Sequence, residues 1–371
     1  MIRSLSIKNF KSIKEQKVSF SSLNIIIGAN NSGKSNLLDS IFTIYNIFRK
    51  NIDEVFGRGP YSYSAYFCKE SKFDEGMSFN LIGDLDSFPF EYEIDIMGKR
   101  SGNFTSPFIS NEKFIYNQRN QIQGSQIYKN DSFIHRASPD DGPEYQFKKQ
   151  FATNTYQFVP KLIKKDKQIM EFESDYGYIP YLSHDGSNLL DVLYYIREND
   201  IDRFSRIIRE CQKFFPKLKN IKISKGSGPN SVIHITMRMG RKDWYFIGPQ
   251  LSDGFAIILA ILTLLSSDKL PNLILFEEIE NGLNPASLEL ILNRMFEVSK
   301  DKQVQFFITT HSPVLLQLLR NNPESIIICE QNEEGLSEYS SLKQKLELFK
   351  DDFTENDSMY DIWMSGLIGG L

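Results

Sequence analysis

The sequence predicts an α/β fold built on a parallel or mixed, helix-covered sheet. Three observations lead there. The run Leu23–Ile27 ends at Gly28 and opens onto a helical pattern. From residue 251 to residue 329, strand-like and helix-like segments alternate. The segments Leu273–Phe276 and Gln305–Thr309 are short apolar runs, which suit central strands buried on both faces.

In chain order, Ile2, Leu5 and Ile7 mark a first short strand, and Leu23–Ile27 a second. Residues 34–50 read as a helix, with Leu37, Leu38, Ile41, Phe42, Tyr45 and Phe48 at helical spacing. Residues 51–180 change character: helical periodicity is weak, and Ser, Asn, Tyr, Phe and Gly dominate. Met77–Leu81 and Phe90–Ile96 are candidate paired strands, and the Asn/Gln/Ser-rich stretch 107–133 reads as loop or insertion. Residues 187–215 are helical again, and Ile221–Ile223, Val232–Met237 and Trp244–Ile247 read as strands. A helix from Ser252 leads to the strand Leu273–Phe276. A helix over Ala286–Ser299 leads to Gln305–Thr309, and a helix over Ser312–Arg320 leads to a strand at Ser325–Cys329. The expected division is a head formed by 1–50 and 230–371, a β/loop insertion at 51–180, and a helical subdomain at 181–229.

The 371 residues suffice for a large core, and 41% hydrophobic with 24% charged residues excludes wholesale disorder. A net charge of −4 excludes a uniformly basic nucleic-acid binder, though not a local basic face. Cys68, Cys211 and Cys329 are odd in number and form no CxxC, so neither a disulfide framework nor a zinc site is expected. Buried, reduced thiols are the expectation. The N-terminus lacks an apolar signal region. The longest near-apolar stretch, Phe255–Leu265, falls short of the ~20 residues of a membrane span. A soluble, cytoplasmic protein without a membrane partner is expected.

Gly28-Ala29-Asn30-Asn31-Ser32-Gly33-Lys34-Ser35 fits GxxxxGK[ST], after a buried strand and before a helix. Glycines let the backbone wrap so that its N–H groups face phosphate, and the helix terminus adds positive character. Lys34 is placed to reach the β/γ-phosphates and Ser35 to ligate Mg²⁺; Gly28, Asn30, Asn31, Ser32, Gly33 and Asn36 complete the candidate phosphate site. Strand, spacing and helix together argue against a chance glycine-rich turn.

The strand Leu273–Phe276 ends in Glu277 and Glu278. At a strand's C-terminal edge one acid can hold the Mg²⁺ shell (Glu277) and the next can orient or deprotonate water (Glu278). An exposed loop start is the competing reading. Phe306–Thr310 ends in His311, whose neutral imidazole could hydrogen-bond the γ-phosphate. A structural strand-end histidine is the alternative. Leu251-Ser252-Asp253-Gly254 opens an almost wholly apolar helix. Ser252 is a good N-cap, and Gly254 permits close backbone approach to a ligand. Four residues are a weak motif alone, and a capped core helix is the plain reading.

These motifs follow one another as in the ATP-hydrolysing head of ABC-type ATPases, and the chain resembles that family. GANNSGKS resembles Walker A, LSDG the signature, LILFEE Walker B with its catalytic Glu, TTHS the H-loop, and Asn281–Asn284 the D-loop. IRSLSIKNFKSIKEQKVSF, IENGLNP, the ending IWMSGLIGGL and His184–Leu189 are similar to the RecF/SMC-like branch, and most to small bacterial AAA15/AAA21-type ATPases. The resemblance covers about 1–50 and 180–371. It departs from the family at Glu277 for the usual Asp, Ile279 for Pro, Asn284 for His, and LSDGF for LSGGQ. Gln118, Gln121, Gln123, Gln126 and Gln157 all remain candidates for the Q-loop glutamine.

The resemblance implies a P-loop NTPase fold, ATP with Mg²⁺, and a dimer in which two heads sandwich nucleotide. Lys34 and Ser35 would then act in cis, and Ser252 and Gly254 in trans. No sustained heptads appear between Ser35 and Leu251, so long coiled-coil arms are not expected. The 60 residues after His311 are too few for a fused Toprim nuclease. Between Ser205 and Lys242, ten basic residues face one acid, Glu210. This is a nucleic-acid face, a partner dock or plain solvated surface. Glu330–Asp361 is acidic in turn. Three readings follow: a homo-oligomeric ATP-driven switch controlling a separate nuclease or toxin in anti-phage defence, a RecF-like DNA-binding repair ATPase, and an ATP-gated scaffold with slow turnover.

Overall fold

The computed structural model describes residues 1–57, 63–68, 75–101, 104–124, 130–165, 181–225, 231–239, 241–319, 322–349, 359–366 and 368. Its strands are β1 Ile2–Phe10, β2 Ile13–Ser19, β3 Leu23–Ile27, β4 Met77–Leu85, β5 Phe88–Ser101, β6 Phe104–Tyr116, β7 Arg119–Gly124, β8 Thr153–Tyr156, β9 Leu218–Lys225, β10 Ser231–Met239, β11 Lys242–Ile247, β12 Leu273–Phe276, β13 Gln305–Thr310, β14 Ile326–Gln331 and β15 Ser337–Ser341. The helices used below are α1 Lys34–Ile47, α2 Leu189–Asn199, α3 Ile201–Phe214, α4 Asp253–Leu265 and α5 Pro285–Lys302.

Two compact units emerge. The first holds Met1–Asn154, Pro271–Leu275 and Ser299–Leu371; the second holds Thr155–Leu270 and Phe276–Val298. These boundaries run differently from the sequence division. Most of 51–180 falls in the first unit, because β4–β7 extend the sheet begun by β1 and β2.

In the first unit, one six-stranded sheet has the order β2-β1-β4-β5-β6-β7, antiparallel throughout. Strand β4 buries every second residue, the period of a strand with one face on a core. The expected pairing of Met77–Leu81 with Phe90–Ile96 is present and longer than expected. The stretch 107–133 is a correction: instead of loop, it carries β7 and most of β6. A bulge near Ser110 hides the strand pattern in the sequence. Asp95 pairs with Asn111 but Ile96 with Ile109, so the buried set shifts from Ile109 to Glu112 and Phe114. One extra residue inverts the alternation and hides the period of two.

The other sheet has the order β15-β14-β3-β13-β12-β8. Its chain passes to the second unit after Leu275 in β12 and after Asn154 in β8. Strands β3 and β13 are parallel and buried at every residue, as their apolar runs require. β14 joins β3 in parallel, and β15 closes the edge antiparallel, so the sheet is mixed. Strands β2 and β15 both lie on sheet edges and are polar in sequence, so neither shows the apolar alternation that reveals a strand.

In the second unit, α4 is buried over Phe255–Leu265, consistent with its apolar character all round. The Nε of Arg203 on α3 donates to Ser266 Oγ at the end of α4, 3.0 Å away. Strands β11-β10-β9 form a separate antiparallel sheet. All three cysteines are free and buried, as expected. Among the described residues no helix is long and apolar enough to cross a membrane.

Candidate functional site

Gly28–Ser35 joins β3 to α1 in the first unit. Asn31 and Gly33 take positive φ, 66° and 105°. Gly28 is needed for space: a Cβ there would sit 2.2 Å from the Cys329 carbonyl oxygen. Lys34 is buried, and its Nζ donates to Gly28 O at 3.0 Å and Ala29 O at 2.8 Å. The β3–β13 register sets Thr310 opposite Ile27, which brings His311 beside the start of the loop. His311 Nδ1 lies 3.2 Å from Lys34 Nζ. An ammonium can only donate, so Nδ1 accepts and the ring proton sits on Nε2.

Ser35 is exposed at the start of α1, as are Asn30 and Asn31 in the loop. Asn36 is committed elsewhere: its Nδ2 donates to Ser12 Oγ at 2.6 Å and its backbone N–H to Gly33 O at 3.0 Å. Ser32 Oγ is buried without a hydrogen-bond partner among the described residues. A spare hydroxyl donor inside a loop of this kind suits an anionic ligand.

In the second unit, Glu277 and Glu278 follow β12 and are half-buried. Glu278 has φ 49°, a left-handed conformation uncommon outside glycine and one that concentrates at functional sites. Its Oε2 accepts from Asn281 Nδ2 at 2.7 Å. A cleft gathers Gln157, Glu277, Glu278 and Asn281 against Tyr156 and Phe276. Of the five candidate glutamines, Gln157 is the one that lines this cleft among the described residues. Gln118 sits in the β6–β7 turn, Gln121 and Gln123 lie in β7, and Gln126 lies outside the described residues.

Gln157 is held in place by the chain. Glu277 N–H donates to Tyr156 O, Gln157 N–H to His184 O, and Val159 N–H to Asp185 O. The 184–189 segment is therefore a bracket for the glutamine. Burial works to raise the Asp185 pKa, but hydrogen bonds from Ser187 and Ser183 outweigh it and hold the carboxyl below its ordinary range. The sequence leaves Gln157 unmarked because no element is read around it, whereas in the structure it directly follows β8.

Ser252 caps α4, with Oγ accepting from Phe255 N–H at 3.2 Å, and the residue is exposed. Gly254 follows at the start of the same helix, in the second unit. Gly254 comes close to Gly282 O, which would lie 2.6 Å from a Cβ at 254. Lys164 Nζ pairs with Asp253 Oδ1 at 2.5 Å beside this terminus.

The basic stretch is less uniform than its composition. Lys213 pairs with Glu210, and both Lys219 and Arg238 pair with Asp243, one residue beyond the stretch. Its outer strand β11 exposes Trp244 and Tyr245.

A family model described as "AAA domain, putative AbiEii toxin, Type IV TA system" matches residues 23–317. A relative from Helicobacter pylori, named ATP/GTP phosphatase, is 24% identical over 342 residues, 86% of this chain and 87% of its own. The solved SMC head bound to the C-winged helix domain of ScpA superposes with TM-score 0.51 at 18% identity, covering 92% of this chain and 97% of that one. An SMC head with an extended coiled coil, bound to the C-terminal domain of ScpA derived from Pyrococcus furiosus, gives TM-score 0.50 at 14% identity, covering 95% and 99%. At such identities the likeness establishes the fold, which is that of an SMC-type ATPase head.

Proposed function

This chain belongs to the AAA-domain family described as putative AbiEii toxin, type IV toxin–antitoxin system, and from that membership we propose an ATP-hydrolysing switch whose heads close on nucleotide to control a separate effector. The observation that carries the hydrolytic part is the cleft shared by Gln157, Glu277 and Glu278, with Glu278 held left-handed after β12.

Lys34 leaves the Gly28 and Ala29 carbonyls to meet the β/γ-phosphates. Glu278 orients the attacking water, and Gln157 lies beside it in the cleft. His311, with its proton on Nε2, is a donor for the γ-phosphate. The products are ADP and inorganic phosphate. Ser35 in the first unit and Glu277 in the second are each proposed as a Mg²⁺ ligand from their motifs, a hydroxyl and a carboxylate being oxygen ligands of the kind Mg²⁺ takes beside water and phosphate. Bound there, Mg²⁺ would neutralise charge on the phosphates.

The head-to-head part is supported by the exposed Ser252 terminus of α4. A 13-residue helix end facing solvent is placed to receive the phosphate held by a second head. The family description names one member of a two-component toxin–antitoxin system, which supports a separate protein partner; a nuclease or toxin as that partner and a role in bacterial anti-phage defence are the finer part of the proposal.

Glu278→Gln is the test. Turnover is expected to fall at least about 100-fold, the lower range for losing a general base, with ATP binding retained. Light scattering should then show its mass doubling on adding Mg-ATP. Near-normal turnover would refute the role of Glu278. An ATP-bound monomer would refute the sandwich.

A further inference from the structure

A loop whose N–H groups face phosphate must turn its carbonyls the other way, and those acceptors need donors. Four side chains of the β14–β15 hairpin supply donors to them, joined at Gly33 O by the backbone N–H groups of Asn36 and Leu37. Gln331 Nε2 donates to Asn31 O at 2.8 Å. Ser32 O accepts from both Ser337 Oγ at 2.7 Å and Cys329 Sγ at 3.1 Å. Tyr339 OH donates to Gly33 O at 2.9 Å. Three consecutive loop carbonyls are thus held by one hairpin.

The hairpin register makes this possible. Cys329 is paired with Tyr339 and Gln331 with Ser337, so the four donors are two cross-strand pairs on one face. A chain of hydroxyls extends the set. Asn36 Nδ2 donates to Ser12 Oγ, and Ser12 Oγ is 2.6 Å from Ser337 Oγ. Since the Ser337 proton goes to Ser32 O, Ser12 is the donor in that contact. The direction runs from α1 through Ser12 and Ser337 back to the loop.

We propose that the β14–β15 hairpin is the positioning element of the phosphate loop, with Ser337 and Tyr339 as its principal donors. The inference rests on the reading of 28–35 as a nucleotide site and adds residues that no motif marks. Both cross-strand partners keep their protons. Burial pushes the Cys329 thiol up to about 11 and the Tyr339 phenol well above its ordinary value. The donors therefore persist across the physiological pH range.

The test compares Ser337→Ala/Tyr339→Phe, Tyr339→Phe alone, and Ser340→Ala with the wild type. Ser340 is a neighbour on β15 that alternation places on the opposite face. Titration calorimetry gives Kd for Mg-ATP, steady-state kinetics separates KM from kcat, and Tm is taken without nucleotide. The double variant should raise Kd and KM about tenfold with saturating kcat within about twofold, and Tyr339→Phe alone about threefold, in line with the modest net value of a hydrogen bond. Ser340→Ala should match the wild type in Kd.

A hairpin that only stabilised the fold would lower Tm and leave Kd unchanged, and that result overturns the proposal. Should the double variant fail to fold, Tyr339→Phe decides alone, since it removes one oxygen and keeps the ring. Wild-type protein that binds no Mg-ATP would refute the nucleotide site itself. Wild-type binding with unaltered variants would refute the hairpin's role only.

Discussion

Replacing Gly33 with alanine tests how tightly the phosphate loop is built against its support. A Cβ at 33 would lie 1.9 Å from Ser337 Oγ and 2.8 Å from Ser337 Cβ, both well inside contact distance. The residue also has φ +105°, outside the range comfortable for alanine. Overpacking of this kind costs about 1–3 kcal/mol, and the backbone strain about 1–2 kcal/mol. A loss of about 3 kcal/mol is therefore expected for the nucleotide-free protein. With unfolding entropy near 2.1 cal/mol/K per residue, a cooperative chain of 371 residues loses about 4 °C in Tm.

Ser337→Gly removes both clashing atoms and leaves the strain. In that background the same alanine should cost only about 1–2 kcal/mol, giving a coupling of about 1–2 kcal/mol in a double-mutant cycle. Scanning calorimetry on the four proteins provides the measurement. A Tm unchanged by Gly33→Ala, or equal losses in both backgrounds, would refute the packing argument.

Lys34→Ala should abolish Mg-ATP binding, read by titration calorimetry, and normal affinity would remove the phosphate site from 28–35. Alkaline pH should destabilise the fold. Burial pushes Cys211 up to about 12 and Cys329 up to about 11, from an ordinary 9.0. Above pH 9 the unfolded chain sheds these protons while the folded one keeps them, so stability falls as pH rises. At pH 10 the loss is about 1.4 kcal/mol per thiol, about 3 kcal/mol for both. A urea midpoint identical at pH 8 and pH 10 would contradict it.

Legibility in the sequence followed how local each feature is. The proposed phosphate loop is eight consecutive residues between a buried strand and a helix, so its motif is readable from spacing alone. The acid pair and the capped α4 were legible for the same reason. Gly254 is legible as a small residue at a helix start, while its packing against Gly282 O, 28 positions along the chain, is not. Strands β6 and β7 were hidden by the bulge near Ser110 and by an inward-facing Glu112, whose carboxylate accepts from Tyr92, Ser132 and Phe133. A buried, fully bonded carboxylate looks polar in sequence and behaves as core in the fold.

Short-range spacing and the order of elements suffice to read the fold class and the N-cap of α4 from the sequence, and they mark the proposed phosphate loop and acid pair as motifs. The position of Gln157 depends on tertiary structure, since the backbone N–H groups of Gln157 and Val159 donate to the carbonyls of His184 and Asp185, more than 25 positions along the chain. The support of the loop was decided in the same way. Gly33 and Tyr339 are 306 residues apart, and the four donors that meet the loop are ordinary residues of polar strands until the β14–β15 register aligns them. Hydrogen bonds act over about 3 Å, so residues distant in the chain can cooperate only where folding brings them together.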